Sequence, residues 1–337
     1  MDKKYPTVLF VSSYSVAFIL RDIELLKKHY NLLVANFVGV KKNLKDTLFT
    51  LIILWRKIQK ADITFIWFAD FRALVTIFLA KLLKKHSILI IGGYEVAKVP
   101  EISYGGALGV FSSVKNKWIL RNADVVVSVS KASQKELQRN LNFHTSKLVY
   151  NGVEVEKFTR DIAIQKEKIA ITVGRITKSN LMRKGIEPFV KAAAFLPDIP
   201  FYIIGKYDDE AYVHLKSIAS ENVVFTGFVS EEELIRYYQR AKVYVQASAH
   251  EAFGISLAEA MLCECVPVIT ERGALPEVVG RTGFFIPFDD PEATAKTIKK
   301  AMKINTGVVC RDHILKNFSM KRREIALKKI IDGVLCR

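Results

Sequence analysis

The sequence predicts an α/β fold of two Rossmann-like domains facing each other across a cleft. Three observations carry this reading. Short, continuous apolar runs alternate with stretches of helical period. The alternation lapses once, near residues 150–168, and then restarts with similar spacing. Short apolar strands separated by helices imply a parallel sheet covered on both faces, and two such halves imply two domains.

In the first half the strand candidates are 7–11, 32–35, 63–67, 87–91 and 125–129, with helical stretches between most of them. The segment Asn151-Gly152-Val153-Glu154 and the mixed polar run from Thr159 to Lys168 read as an interdomain connection. In the second half the strand candidates are 169–173, 201–204, 223–225, 243–245 and 266–269. Helices are expected after Gly185, around 209–219, over 231–240, from about 254 to 264 and over 291–303. The expected division is therefore one Rossmann-like domain over 1–150 and a second over 151–310. The last segment, 311–337, is helical and basic, and is expected to return to the first domain, whose charge it shares.

Composition limits the classes. Half the residues are apolar and a quarter are charged, the balance of a folded soluble protein of 337 residues. The four cysteines, Cys263, Cys265, Cys310 and Cys336, have neither a disulfide framework nor zinc-ligand spacing, so reduced thiols in the cytoplasm are expected. The chain runs from Met1 to Pro6 straight into a strand-like run, so no signal peptide is expected. The apolar stretch 48–55 is far short of the ~20 residues that a membrane span needs. Charge is unevenly placed: residues 1–150 hold 23 Lys or Arg against 10 Asp or Glu, residues 151–310 hold 20 against 21, and residues 311–337 hold 8 against 3. The basic first half suggests an anionic partner, either a membrane surface or a nucleic acid.

Two stretches carry chemistry. The first is SAHEAFGISLAEAM, Ser248 to Met261, which follows the strand candidate 243–245. In open α/β sheets, ligands bind at the carboxyl ends of strands. Gly254 removes side-chain bulk where the chain turns into a helix, and the unpartnered first-turn N–H groups favour a phosphate. Glu251 precedes this turn and Glu259 lies about one and a half turns inside. The spacing suits a nucleotide-sugar, with one carboxylate for the sugar, one for the ribose and the helix end between them for the diphosphate. In the second stretch, Val173-Gly174-Arg175-Ile176 ends a strand and Arg183-Lys184-Gly185-Ile186 opens a helix. Gly174 allows close backbone approach. Arg175 and Lys184 can converge on one anionic group, Arg as a fork and Lys as a point charge.

Together these residues resemble the retaining glycosyltransferases of family 4, which have the GT-B fold. The resemblance rests on Gly174-Arg175…Lys184-Gly185, on Glu251…Glu259 with Phe253-Gly254 and Ala258-Glu259-Ala260-Met261 in frame, and on Asn151-Gly152-Val153. It also rests on Gly273…Leu275-Pro276-Glu277-Val278-Val279 and on Thr282-Gly283-Phe284. It covers residues 148–300 well and the first 147 in outline. It implies that Arg175 and Lys184 hold the donor diphosphate and that Glu251 bonds the donor sugar. It further implies that amides near Phe253, Gly254 and Ile255 contact sugar and phosphate, that Glu259 holds the ribose, and that the base lies against Gly227-Phe228-Val229.

The sequence departs from the family pattern in three places. The Arg-to-Lys gap is longer, because Ser179 to Arg183 reads as extra loop, so Arg183 can stand in for Lys184. The first loop, Ser12-Ser13-Tyr14-Ser15-Val16, holds no glycine. On the acceptor side the stretch Gly92-Gly93-Tyr94-Glu95 has Gly92 where many relatives carry a His; His250, beside Glu251, is the nearest other histidine, with a packing or capping role expected.

No Asp-x-Asp occurs, and the pairs Asp208-Asp209 and Asp289-Asp290 are explained by solvation. A metal site is therefore not expected; two cations and a helix end can neutralise the leaving group. The resemblance implies retention without a protein nucleophile, the leaving phosphate deprotonating the acceptor on the same face. The donor would be a UDP- or GDP-linked sugar, with no cofactor. Lys41, Lys42 and Lys45 before an apolar helix, Arg56-Lys57 after it, and the run 78–85 suit an interfacial helix on anionic lipid. This suggests a protein peripheral at the inner face of the membrane with a lipid-linked acceptor. Nucleic-acid binding rests on charge alone and lacks aromatic–basic interleaving, so no nucleic acid is expected. The Glu-x7-Glu element argues against an epimerase.

Overall fold

The computed structural model describes residues 5–14, 16–37 and 44–336. Lys41 and Lys42, and the side chain of Lys45, lie outside the described residues. The chain divides into two compact units, one of residues 1–151 with 321–337, the other of residues 152–320.

The first unit runs β1 (Thr7–Ser12), α1 (Ala17–Lys27), β2 (Asn31–Asn36), α2 (Leu44–Lys60), β3 (Ile63–Trp67), α3 (Phe71–Leu82), β4 (His86–Ile91), α4 (Val110–Asn122), β5 (Val125–Ser128), α5 (Lys131–Leu141) and β6 (Lys147–Leu148). Its sheet has the order β2-β1-β3-β4-β5-β6, every pair parallel. Strands β1, β3 and β5 are buried throughout, which is why they read as unbroken apolar runs rather than alternating ones. Asp70 caps α3 by accepting from the N–H groups of Arg72 and Ala73, and Ser130 caps α5.

The second unit runs β7 (Glu167–Val173), α6 (Lys178–Arg183), α7 (Ile186–Ala193), β8 (Phe201–Ile204), α8 (Asp209–Ile218), β9 (Val223–Gly227), α9 (Glu231–Arg240), β10 (Ala241–Gln246), α10 (Ile255–Leu262), β11 (Val266–Thr270), α11 (Leu275–Val279), β12 (Phe284–Ile286), α12 (Pro291–Ala301) and α13 (Gly307–Asn317). Its parallel sheet has the order β12-β11-β10-β7-β8-β9. Ser230 and Glu233 form a capping box on α9. Asp208 and Asp290 cap α8 and α12, so one member of each acidic pair has a structural task besides solvation.

Three local expectations change. Residues 178–183 form the helix α6, not loop: Leu181 is buried in the core, and Asn180 bonds the Arg175 carbonyl through its side chain and the Lys184 N–H through its own carbonyl. The run 159–168 is not the connection between units. Buried Phe158 packs on Tyr238, and Gln239 donates to the Thr159 carbonyl at 3.0 Å, which ties the run to the second unit. The return to the first unit begins at residue 321, not 311. Cys310 and Ile314 of α13 are fully buried against α10, and this apolar contact outweighs the basic character shared with the first half.

The returning helix, α14 (Met320–Leu335), is held in the first unit by a buried ion pair. Arg323 donates to both oxygens of Asp22, each at 2.6 Å, and to the Tyr150 carbonyl at 2.9 Å. Leu327 and Ile331 beside it are fully buried.

Candidate functional site

The strand order of the second unit places the two motif stretches side by side. The chain builds β7, β8 and β9 outward in one direction, then returns to lay β10 against β7 and continues the other way. The carboxyl ends of β7 and β10 therefore flank a topological switch point, where doubly wound sheets bind ligands. Gly174 and Arg175 leave β7 there; Gln246 to Glu251 leave β10.

Glu251 is the centre of this end. Lys184 pairs with its Oε1 from 67 residues away. Gln246 donates to the same oxygen at 2.9 Å, and the Ser248 hydroxyl lies 3.3 Å from it. Burial works to raise the Glu251 carboxyl, but the charges of Lys184 and Arg183 and the Lys184 hydrogen bond outweigh it and hold the carboxyl below its usual range. A folded value below the unfolded one means that the ionised form stabilises the unit above the ordinary carboxylate range. That contribution is lost as pH falls through the lowered value.

Backbone contacts lock the two stretches together. The Ala249 N–H donates to the Arg183 carbonyl at 2.9 Å, and the Ser248 hydroxyl reaches the Lys184 carbonyl at 3.3 Å. Gly185 has a φ of +66°, and a Cβ there would overlap the Ala247 carbonyl oxygen. Gly273 has a φ of +57°, and a Cβ there would overlap the Glu251 backbone, whose carbonyl accepts from Ala274 at 2.8 Å. Both glycines let one loop sit directly on another. The motif had placed Gly273 in the sequence without a task; its task is to seat the loop before α11 on Glu251. Gln246 and Ser248 were also missed as partners of Glu251, although a polar residue ending the apolar run of β10 was a visible signal.

Lys184 follows α6 and reaches Glu251; Arg183 bonds Asn180 through two guanidinium nitrogens, at 3.0 and 2.6 Å. Arg175 is exposed at the end of β7, and among the described residues no carboxylate pairs with it. Gly254 opens α10, with no acid in the first turn to compete with an anion, and Ile255 is the first helical residue. Phe253 is turned into the core against Phe318, centroids 5.4 Å apart, so only its backbone is offered to a ligand. Glu259 is buried on α10. Phe228 follows β9 and is 80 % exposed, with Val229 half-buried after it. From β10 across β7 and β8 to β9 is three strand spacings, roughly 14 Å.

In the first unit the switch point lies between β1 and β3. Here Ser13 bonds Asp70, and Arg72 lies 3.5 Å from the Ser13 hydroxyl. Gly92 and Gly93 follow β4. A Cβ at Gly92 would enter the ring of Phe68, so position 92 has no room for a side chain while that ring stays in place. Glu95, expected on the acceptor side, is turned inward. It accepts from the N–H groups of Ala69, Gly92 and Gly93 at 3.2, 3.1 and 2.8 Å, and burial raises its carboxyl against those bonds. It braces the loop and presents no carboxylate outward. Tyr94 is exposed, edge-on to Tyr104 with centroids 5.2 Å apart. His250 is buried. Among the described residues no three His, Cys, Asp or Glu side chains converge in a way that could hold a metal ion.

Residues 154–317 match the family model of glycosyl transferases group 1. That span is similar to the glycosyl transferases of group 1 and lies within the second unit. The matched span covers nearly all of that unit, from Glu154 to Asn317, and includes every donor-side residue named above. Among curated relatives, an uncharacterized protein in the cps region of Klebsiella pneumoniae is 35 % identical over 43 % of this chain and 42 % of its own. An uncharacterized glycosyltransferase of Methanocaldococcus jannaschii is 29 % identical over 52 % of this chain and 50 % of its own. The lipopolysaccharide core biosynthesis mannosyltransferase LpcC of Rhizobium leguminosarum is 25 % identical over 65 % of this chain and 67 % of its own. The chain thus spans half or less of the first two relatives. The whole fold is that of GT-B glycosyltransferase structures. Sucrose-phosphate synthase of Thermosynechococcus elongatus superposes with a TM-score of 0.79, 17 % identity and coverage of 98 % of this chain and 99 % of that one. Anabaena HepE in complex with UDP and glucose gives 0.78, 15 %, 96 % and 99 %.

The glycines of the second unit make contrasting predictions. A Cβ at Gly174 would meet only Ile186 Cδ1 at 3.8 Å and Lys184 Cγ at 3.9 Å. Gly174→Ala should therefore melt as the wild type does while weakening nucleotide binding, because the methyl group enters the space beside Arg175. Gly185→Ala should destabilise the domain by about 2 kcal/mol, through left-handed strain and displacement of Ala247. Differential scanning calorimetry and UDP titration distinguish the two; equal melting temperatures would contradict the close approach at Gly185.

Proposed function

We propose that the chain moves a sugar from a nucleotide-diphosphate sugar, UDP- or GDP-linked, to an acceptor with retention of anomeric configuration and without a metal ion or other cofactor. The observation that carries this is the Lys184–Glu251 pair at the switch point, beside the open N-terminus of α10 and the exposed Arg175. The HepE structure of the same fold is described in complex with UDP and glucose, and LpcC is named a mannosyltransferase. Lys184 has three N–H donors; one is directed at Glu251 and the others can meet a diphosphate, together with the Arg175 fork and the first N–H groups of α10. Glu251 then accepts from a sugar hydroxyl. Glu259 serves the ribose, and the base lies against Phe228 and Val229.

In the transfer, the bond from the anomeric carbon to the phosphate oxygen breaks and charge develops on the diphosphate. Arg175, Lys184 and the helix end stabilise that charge. The acceptor oxygen bonds the anomeric carbon on the face the phosphate leaves, and its proton passes to the departing phosphate oxygen. Retention follows from attack on that same face. The acceptor is lipid-linked or membrane-associated, as the name of LpcC, a lipopolysaccharide core biosynthesis mannosyltransferase, suggests, and the protein works at the inner face of the membrane.

Arg175→Ala tests the phosphate role. It should weaken UDP binding roughly tenfold through loss of charge-assisted hydrogen bonds and leave uridine binding unchanged. Equal weakening of both ligands would remove Arg175 from the phosphate site. Lys184→Ala and Arg183→Ala, measured beside it, decide which of the two neighbours meets the diphosphate. The same assay run with EDTA should lose no activity; a metal-reversible loss would overturn the metal-free reading.

A further inference from the structure

Helices α2, α3 and α4 lie side by side, α2 against α3 and α3 against α4. Their inward residues, among them Leu54, Ile58, Ile77 and Ile119, join one buried core. Their outward residues are apolar as well. Phe49 and Ile52 on α2 are 56 % and 53 % exposed, Phe78 on α3 is 56 % exposed, and Phe111 and Val114 on α4 are 93 % and 63 % exposed. Trp55 and Trp118 lie on the same outward faces. The outward side chains recur at helical spacing: Leu48, Ile52 and Trp55 on α2, and Phe111, Val114 and Trp118 on α4. A helix that is apolar on both faces is normally covered on both. Scattered apolar side chains need no explanation, but stripes on three adjacent helices do.

The charge around these stripes identifies what covers them. The three helices carry nine Lys or Arg residues against one acid, Asp46. The first unit holds 29 Lys or Arg against 12 Asp or Glu, and the second holds 22 against 22, so the whole net charge of +17 resides in the first unit. A second copy of the chain would set like charge against like. A nucleic acid would leave the apolar stripes in water. A surface with anionic groups above an apolar layer satisfies both features.

We propose that the outward faces of α2, α3 and α4 dock on the surface of an anionic bilayer. Phe49, Ile52, Phe78, Phe111, Val114 and the two tryptophans enter the headgroup–acyl boundary, and Arg56, Lys60, Lys117 and Arg121 meet lipid phosphates. The N-termini of α2, α3 and α4 follow the carboxyl ends of β2, β3 and β4, so this face adjoins the edge where the first unit would receive a substrate. Only the consequence, delivery of a lipid-anchored acceptor, rests on the transfer reading; the docking itself does not.

The chain's three tryptophans make the test specific, because Trp55 and Trp118 lie on the proposed face while Trp67 is 1 % exposed. The full chain is sedimented with phosphatidylcholine vesicles with and without phosphatidylglycerol, at low and high salt, and tryptophan emission is read with brominated phosphatidylcholine in the bilayer. Binding should require phosphatidylglycerol and fall with salt, and the bromines should quench the emission. The variant Phe49→Glu/Phe111→Glu/Val114→Glu should lose about tenfold or more of its binding. The single Phe111→Glu, at a nearly fully exposed position, should lose part of it with an unchanged melting temperature. UDP-induced thermal stabilisation should be the same in all variants, so failure of nucleotide binding and failure of docking are read separately. No binding to anionic vesicles, binding without quenching, or a triple variant that binds as the wild type does would each overturn the proposal. So would a dimer of the wild type that the triple variant converts to monomer, which would assign the face to a second copy.

Discussion

Glu251→Gln is expected to cut sugar transfer by roughly 10²–10³-fold, the scale of removing one preorganised polar group from an active site, while the melting temperature stays within a few degrees of wild type. The substitution keeps the shape of the side chain and an oxygen that can still accept from Gln246 and Ser248, both within 3.3 Å of Oε1. It removes the charge that orients Lys184 and the acceptor strength offered to the sugar hydroxyl. Lys184 is then released toward the diphosphate, so UDP affinity should hold or rise while turnover falls. That divergence separates a sugar contact from general damage to the site, which would weaken both. Turnover numbers and UDP titrations on the same preparation check it. A Glu251→Gln enzyme with wild-type turnover would leave Glu251 a structural partner of Lys184 and nothing more. If kcat and kcat/KM fall together, the lost interaction belongs to the transition state.

Arg323→Ala should destabilise the first unit by about 3–5 kcal/mol, because it leaves the buried Asp22 carboxylate without its partner cation. The side chains of Arg323 and Asp22 are only 2 % and 0 % exposed, and Arg323 also donates to the carbonyls of Val149 and Tyr150. Trp67 loses both its cation–π partner, 5.5 Å from the ring centroid, and the firm placement of the Asp22 carboxylate that accepts from its indole N–H at 3.0 Å. Thermal unfolding should show an earlier transition for the first unit, and protease should cut α14 first. UDP stabilisation, which reports on the second unit, should persist. The double variant Asp22→Asn/Arg323→Met should recover much of the loss, since it removes both charges. A single variant that melts as the wild type does would show that buried Leu327 and Ile331 hold the helix without the ion pair.

Strands β1, β3, β5 and β11 were readable because they are buried at every position and so appear as unbroken apolar runs. The short strands β6 and β12 carry too few residues to show a period and were not foreseen. The helix α6 was read as loop because six residues hold less than two turns of pattern, and it is Leu181 in the core that makes them helical. Glu95 was expected on the acceptor side from its place in the stretch Gly92 to Glu95; three backbone N–H groups in one loop turn its carboxylate inward. The boundary at 311 followed charge, and charge is a surface property that says little about which core a helix covers.

The sequence by itself determined the α/β class, the two-part organisation, and that Gly174–Arg175 and Ser248–Glu259 each leave a strand's carboxyl end. These are local properties: hydrophobic period, glycine at turns, and a helix start read within a dozen residues. Only the tertiary structure decided that β10 returns to lie against β7, so that Lys184 reaches Glu251 across 67 residues of chain and Gly273 carries a third loop onto the same carbonyl. Strand order is set by which apolar faces pack together over the whole unit, and no stretch of sequence contains that information alone. The same holds for the uncovered faces of α2, α3 and α4. Each helix shows its apolar stripes in sequence, but only packing determines which stripe the core takes and which is left for another surface.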